Sequence, residues 1–334
     1  MHRRQFLQAG GGLVAATVLG RRASGAQSGN GSDSLEPLGS VEVAGATDCT
    51  VQGEFAYIAA DDGVAVVDIS QPDSPTVVAE RRDIETGTGA PFRDVLDCWV
   101  WEDRLVVGGP GNLNATSAHG FVLYDITDPT EPEQLSFYET GQPRAGGFYI
   151  HNLYIDDGIV YLTGSGTARN PLVMVDVTGA EPEEVGRWAL EDFDSGYGEV
   201  SVASRSLHDV TVQDGIAYIP CWDAGTWIVD VSDPENPAVL ASISEYDLAE
   251  LQGFSDNGAI SESFSPPGNA HYTMVNDDAS LLAVGEEGWE FNGSGGPGGI
   301  DLYDVNDPED PQHLARLDPP PGDDQTRSGR FTSA

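Results

Sequence analysis

The sequence contains no lysine, and arginine supplies all of its positive charge. Its 15 basic residues stand against 55 Asp plus Glu, which gives a formal net charge of −40. Binding to nucleic acid requires a basic surface, so this class of partner is excluded. A compact chain with this charge repels itself in dilute buffer, but at molar salt the Debye length is about 3 Å and the repulsion is screened. The composition therefore predicts a halophilic protein and indicates an archaeal source.

Long apolar runs and long helical patterns are also missing. The longest apolar run, from Ala9 to Gly20, is about a dozen residues, whereas a membrane-spanning helix needs about 20. Glycine is abundant, with 41 residues, and hydrophobic residues make up 39%. This mixture is typical of many short strands joined by turns.

The first 36 residues read as an export signal and a linker. Arg3 and Arg4, followed by Gln-Phe-Leu, resemble the twin-arginine export motif, and an apolar run follows them. Small residues at Ser24 to Ala26 offer a cleavage site. We therefore predict a signal peptide over 1–26, a flexible linker over 27–36, an extracellular or cell-surface location, and no transmembrane span after signal removal.

One phrase recurs five times: a short apolar strand that ends in Asp, usually followed by Asp-Pro-x-x-Pro. The aspartates are Asp68, Asp125, Asp176, Asp230 and Asp304, spaced by 57, 51, 54 and 74 residues. Repeats of about 40 to 50 residues with short strands predict a β-propeller. Proline cannot continue a central strand, so each phrase marks the corner before an outer strand. We expect the aspartates to bond nearby turn amides; a ligand role is the alternative.

Each phrase lies inside a unit with four strand patterns, for example His208–Val212, Ile216–Pro220, Thr226–Val231 and Ala238–Ile243. The predicted fold is an all-β propeller domain over 37–334, made of four-stranded antiparallel blades. The predicted blades are at about 45–82, 94–140, 148–190, 205–245 and 268–318. One blade cannot bury both of its faces, so successive blades must stack.

The phrases around Val64–Asp68, Leu172–Asp176 and Thr226–Asp230 resemble the LVIVD repeat of bacterial and archaeal surface propellers. The resemblance covers about residues 37 to 317. It implies a propeller fold and a surface location. It implies no defined activity.

The end of the chain predicts an incomplete ring. Arg330 to Ala334 look like the start of a sixth blade, and Pro37 to Val41 resemble an outer strand without a blade of its own. We therefore expect the five blades to be part of a truncated six- or seven-bladed ring. Pairing of Leu38–Val43 with Gln312–Leu317 would contradict this expectation.

Aligned innermost strands predict a candidate ligand site near the mouth of the central channel. The alignment places five residues at one equivalent position: Thr47, Asp97, His151, His208 and His271. Imidazole suits Zn, Cu, Fe and Ni, so three histidines and one aspartate form a candidate transition-metal site. In the alternative interpretation, His151 with Asn152 and His208 with Asp209 bridge adjacent blades through hydrogen bonds.

Other polar residues give weaker signals. Carboxylate pairs at Asp61-Asp62, Asp156-Asp157 and Glu286-Glu287 suit Ca²⁺, so calcium is a second candidate cofactor. Cys49 and Cys98 are expected on the innermost strands of adjacent blades in registers offset by one, which predicts free thiols. With Cys221 the count is odd, so a disulfide framework is not expected.

The sequence does not specify one activity. It contains no phosphate loop, dinucleotide fingerprint or hydrolase nucleophile motif. Long loops on a rigid scaffold favour a non-catalytic surface module that binds a protein or glycan. The alternative is a metal-dependent enzyme that uses the channel histidines.

Overall fold

The computed structural model describes residues 37–254, 267–288 and 298–319. The predicted signal peptide with Arg3 and Arg4, the linker, and the proposed start of a sixth blade lie outside the described residues. Within these ranges, twenty strands form five four-stranded antiparallel sheets, which confirms the predicted all-β fold class. No helix in this part of the chain is long and apolar enough to cross a membrane.

Within every sheet the strands follow chain order, from an innermost first strand to an outermost fourth strand. The first three blades consist of β1 (Ala46–Gln52), β2 (Phe55–Ala60), β3 (Gly63–Asp68), β4 (Thr76–Arg81); β5 (Asp97–Trp101), β6 (Arg104–Gly109), β7 (Gly120–Asp125), β8 (Glu133–Glu139); and β9 (Tyr149–Asp156), β10 (Ile159–Ser165), β11 (Leu172–Asp176), β12 (Glu183–Trp188). The last two consist of β13 (Thr211–Gln213), β14 (Ile216–Pro220), β15 (Thr226–Asp230), β16 (Ala238–Ile243); and β17 (Ala270–Val275), β18 (Leu281–Glu286), β19 (Ile300–Asp304), β20 (Gln312–Leu317).

Short helices lie in the connections between blades. They are α1 (Leu190–Phe193), α2 (Leu248–Gly253) and 3-10 turns at Pro143–Ala145, Ser195–Glu199 and Val202–Ser204.

The repeated aspartate ends the third strand of each blade. In all five blades, one carboxylate oxygen accepts a hydrogen bond from the backbone N–H two residues later, at 2.8 to 3.0 Å. This turn releases the chain from the third strand, and the following segment, which is Asp-Pro in blades 2, 4 and 5, then leads into the fourth. The structural interpretation of the repeat thus accounts for the aspartates.

Apolar side chains between successive blades form the core. Four clusters join blades 1 and 2, 2 and 3, 3 and 4, and 4 and 5. Among the residues that the structure describes, Trp227, 2% exposed, is the largest fully buried side chain. The innermost strands of neighbouring blades also contact one another, β1 with β5, β5 with β9, β9 with β13, and β13 with β17, which defines the central axis.

The two ends of this array differ from the blades between them. Strand β20 is exposed along its whole length and pairs with β19, and Leu38–Val43 shows no strand pairing with it among the described residues. Gly39 lies against the Pro72 to Pro75 turn of blade 1, just as Gly186 of β12 lies against Pro234 of the next blade. Residues 37–43 therefore occupy the place that an outermost strand takes beside the following blade.

Candidate functional site

Three histidines from three successive blades meet at one end of the central axis. His151 lies in β9, His208 lies just before β13, and His271 lies in β17. The hairpins that follow these strands fix the register, because Ile155 pairs with Val160, Val212 with Ala217, and Val275 with Leu282, each four residues after a histidine. Counted back from those hairpins, the histidines are equivalent positions, and Thr47 of blade 1 is a fourth. We call this end of the axis, where the innermost strands begin, the entry end.

The three imidazoles are close enough to share one ion. One ligand atom from each ring lies within 4.8 Å of the others. The ring centroids of His151 and His208 are 4.4 Å apart, and those of His208 and His271 are 4.2 Å apart. Within the described residues, this is the one group of three or more His, Cys, Asp or Glu side chains with such spacing.

Burial keeps these imidazoles neutral. It lowers the pKa of His208 well below the ordinary value, and the neighbouring His271 and His151 lower it further. Burial, with the nearby His151, lowers the pKa of His271 to about 3. Burial also lowers the pKa of His151, although the hydrogen bond to the Gly111 carbonyl opposes this shift. The neutral ring is the form that binds a metal, so no proton must leave before an ion enters.

In two of the imidazole rings, one nitrogen lies within hydrogen-bond distance of an oxygen acceptor. His151 Nδ1 lies 2.6 Å from the Gly111 carbonyl oxygen, which can only accept, so Nδ1 carries the hydrogen and Nε2 keeps its lone pair. His271 Nε2 lies 3.2 Å from a carboxylate oxygen of Glu287. Metal-binding histidines in proteins almost always donate their second ring N–H in this way.

The middle ring is held by an aromatic contact instead. Trp222 stacks on His208, with ring centroids 4.8 Å apart and planes 26° from parallel. It also meets His271 edge to face at 5.6 Å. His208 Nδ1 is buried and has no hydrogen-bond partner among the described residues. A buried ring nitrogen without a partner is unusual and indicates an absent ligand.

The supporting residues share one structural origin. Gly111, Trp222 and Glu287 all lie in loops between the second and third strands of a blade, after β6, β14 and β18. These loops reach the entry end because the second strand runs back toward it. From the sequence, Glu287 is identified only as half of an acidic pair, and Trp222 is not identified. The one sequence signal for either residue is its position just after the second strand of its blade.

The alignment of Asp97 with the histidines is wrong by one residue. Trp101 pairs with Arg104 across its hairpin, so Leu96, and not Asp97, is equivalent to His151. Asp97 is instead equivalent to Asn152 and Asp209. The hairpin that follows each innermost strand sets its register, and it places Leu96 level with the histidines.

The residues equivalent to Asp97 form a second layer that joins the blades. Asp97 accepts a hydrogen bond from the Leu153 N–H of the next blade at 2.7 Å. Asp209 accepts one from the Asn152 side chain at 3.1 Å. The interblade hydrogen bonds of the alternative interpretation are therefore present, made by Asn152 and Asp209 beside the histidines. The metal-site interpretation and the hydrogen-bond interpretation are compatible, because the hydrogen bonds of this second layer hold the strands that carry the imidazoles.

Carboxyl groups in this second layer hold protons more tightly than usual. Burial raises the pKa of Asp97 well above the ordinary value, and the charge of Asp48 raises it further. Burial also raises the pKa of Asp48, which shares a hydrogen bond with Asp97. Burial raises the pKa of Asp209 to about 7.

The acidic pairs do not converge on a calcium site among the described residues. Glu286 forms an ion pair with Arg316, whereas its neighbour Glu287 contacts His271. Asp62 pairs with Arg82 at 2.9 Å.

All three cysteines are free. The predicted register offset between Cys49 and Cys98 is wrong, because both lie three residues before the last residue of their strands. Burial raises the pKa of both thiols, to about 12 for Cys49, so neither is a reactive thiolate.

Comparison with known proteins supports the repeat and the fold. Residues 45–81 and 204–244, which contain blades 1 and 4, match the model of the LVIVD repeat. No curated protein sequence matches the chain.

Solved structures resemble this chain over most of its length. A functionally unknown protein from Desulfotomaculum acetoxidans is 11% identical, with a TM-score of 0.56 over 83% of this chain and 71% of that chain. The β-propeller domain of Cps50 (Swd1) from Myceliophteria thermophila is 12% identical, with a TM-score of 0.53 over 83% and 74%. A protein from Lactobacillus plantarum is 11% identical, with a TM-score of 0.53 over 81% and 71%. At such low identity the similarity shows the fold alone. The chain is therefore a β-propeller repeat protein of four-stranded blades that contains LVIVD repeats.

Proposed function

We propose that this propeller binds a transition-metal ion at the entry end of its axis through His151, His208 and His271. The observation that carries the proposal is the convergence of three neutral imidazoles from three blades within 4.8 Å. The outer nitrogens of two rings already face acceptors, and the third ring has a buried nitrogen without a partner. Hydrogen bonding between blades accounts for one ring only: His151 bonds to Gly111 of blade 2, whereas His271 contacts Glu287 of its own blade and His208 Nδ1 has no partner among the described residues.

The donor set narrows the class of metal. Imidazole suits Zn, Cu, Fe and Ni, whereas Ca²⁺ and Mg²⁺ require oxygen ligands. Three protein ligands leave a coordination position open, which is the pattern of catalytic rather than structural zinc sites. The donor set therefore favours a metal-binding propeller, whose ion can accept a further ligand, over a scaffold that binds no metal.

Metal analysis of the purified full chain tests this proposal. The protein is stripped with a chelator, and zinc and copper binding are then measured by calorimetry in molar salt. We expect one ion per chain, and His208→Ala should abolish tight binding. His313→Ala is the matched control, because His313 is exposed on β20 and pairs with Asp301 at 2.9 Å. Equal binding by the two variants, or no binding by the wild type, would refute the proposal.

A second proposed function is docking at a cell surface through the loops of the entry end. Three large apolar side chains are exposed there: Leu113 (56%), Phe193 (57%) and Val202 (41%). They lie on the β6–β7 loop and the β12–β13 connection. The expected partner is a protein or glycan of the envelope. Binding of the purified protein to isolated envelopes should fall when all three are changed to Ser, and unchanged binding would count against this surface.

The proposed location follows from the sequence. A twin-arginine signal would export the folded chain, and an acidic surface free of lysine suits a halophilic, archaeal cell. Replacing Arg3 and Arg4 together with Lys should retain the precursor inside the cell. Secretion of that variant at the wild-type rate would contradict twin-arginine export.

A further inference from the structure

Trp222 combines two energetic costs at one position beside the three histidines. Its backbone φ is +54°, a left-handed conformation that is rare for a bulky residue. Its indole Nε1–H is buried and has no hydrogen-bond partner among the described residues. Strained backbone and unsatisfied buried donors persist in proteins mainly where a function uses them.

The structure holds Trp222 in this position through the neighbouring blade. Its backbone N–H donates to the Ala270 carbonyl at 3.0 Å, and the Ala270 N–H donates back at 3.1 Å. Ala270 immediately precedes His271, so the strand that carries one metal ligand also fixes the tryptophan. With its ring 4.8 Å from His208 and 5.6 Å from His271, the indole lies beside the position of the ion.

Charge at the site favours an anion as the further ligand. Three neutral imidazoles leave both charges of a divalent ion uncompensated. The Glu287 carboxylate, 3.2 Å from His271 Nε2, offsets one of them. A monoanion on the ion would complete the neutralisation in a site where His271 is buried and His151 and His208 are half-buried.

Burial limits the size of that anion. Trp222 and His271 are each 7% exposed, and Glu287 is 4% exposed. An oxygen acceptor is required, because the unpaired group is an N–H donor. Formate and acetate are the simplest carboxylates that meet these requirements.

We infer that the open coordination position takes a small carboxylate-class monoanion whose oxygen accepts a hydrogen bond from the indole N–H of Trp222. This inference rests on the proposed metal site and specifies the chemistry of its exchangeable ligand. Trp222 is then a binding residue for that ligand, and its stacking on His208 sets the direction of the N–H.

Cobalt-loaded protein provides the test, because the visible spectrum of Co²⁺ reports its ligands. Formate is titrated in molar sodium sulfate, since chloride would compete for the ion. Trp222→Phe keeps an aromatic ring but removes the N–H, so formate should bind about ten-fold more weakly, as expected for a hydrogen bond to a charged acceptor. Each protein is first saturated with cobalt, so that the formate constants are compared at full metal occupancy.

Trp227→Phe is the matched control, because the Trp227 indole already donates to the Ala224 carbonyl at 2.9 Å. This variant should bind formate as the wild type does. A second measurement needs no variant: in zinc-loaded protein, the indole N–H resonance of Trp222 should move downfield when formate is added.

The outcomes separate the two claims. A wild-type protein that binds no cobalt overturns the metal site and this inference with it. A cobalt-loaded protein that binds no formate, or that binds it equally well in Trp222→Phe, overturns this inference alone, and so does an indole resonance that formate does not shift.

Discussion

Replacing Arg205 should cost more stability than any exposed arginine in the chain. Its side chain is 4% exposed and donates from Nε to the Val200 carbonyl at 3.0 Å and from Nη2 to the Ala168 carbonyl at 2.9 Å. Nη1 forms an ion pair with Glu191 at 3.0 Å, without hydrogen-bond alignment. One side chain thus fixes the connection that leads from β12 to His208.

The size of the effect follows from what Arg205→Met leaves behind. The buried Val200 carbonyl and the carbonyl of the exposed Ala168 lose their donors, and Glu191, 15% exposed, loses the nearer of its two cations. Removing one partner of a buried pair costs about 3 to 5 kcal/mol. For a chain of this size the melting temperature should fall by roughly 5 to 8 °C. Adding Glu191→Leu should restore part of the loss, because no unpaired carboxylate then remains buried.

Thermal and urea unfolding in molar salt measure this change. Arg169→Met is the control, because Arg169 contacts the same helix, with Asp192 at 2.6 Å, but is 54% exposed. An exposed pair contributes about 0 to 1 kcal/mol. If the two single variants differ by less than about 1 kcal/mol, the assignment of Arg205 as a buried anchor is wrong.

Three further predictions test the second layer, the contacts between blades and the repeat. The folded chain holds the Asp97 proton to a higher pH than the ordinary value of 3.8, so the free energy of unfolding should fall as pH rises from that value toward neutral. Asp97→Asn should flatten this slope in urea titrations in molar salt, and an unchanged slope would exclude Asp97 as its source. Gly186→Ala should cost about 1 to 3 kcal/mol in thermal unfolding, because a Cβ would overlap a carbonyl of the next blade, whereas Gly179→Ala, with no atom closer than 3.9 Å, should be near neutral. Asp230→Ala should cost about 0.5 to 1.5 kcal/mol through its turn bonds, and Asp230→Asn, which keeps an acceptor, should cost less by the same assay.

The sheets were predictable from the sequence because the repeat specifies them redundantly. Each copy carries a short apolar strand, an aspartate that terminates it and a proline that prevents its extension. These signals are local, so each can be read without knowledge of the neighbouring blade. The same is true of the hairpins at Asp157-Gly158 and Asp214-Gly215, where all four residues have positive φ.

The site was only partly predictable, because its parts come from different blades. The histidines share a register position, and that register can be read once the hairpins are located. Trp222 and Glu287 have no such marker, since their positions depend on how one loop packs against the next blade. The misplacement of Asp97 has the same origin: one residue of offset in a strand moves a side chain to the other face.

The three imidazoles lie on three separate sheets, so metal binding is coupled to the packing of blades 3, 4 and 5 against one another. An ion that binds only when blades 3, 4 and 5 are docked stabilises that docking by an amount that grows with the logarithm of the ratio of ion concentration to dissociation constant. Blades 1 and 2 have Thr47 and Leu96 at the equivalent position and gain nothing from the ion. A chelator should therefore increase proteolysis in the connection from β12 to β13 while leaving blades 1 and 2 protected. The metal concentration would then determine the stability of the part of the chain that contains blades 3, 4 and 5.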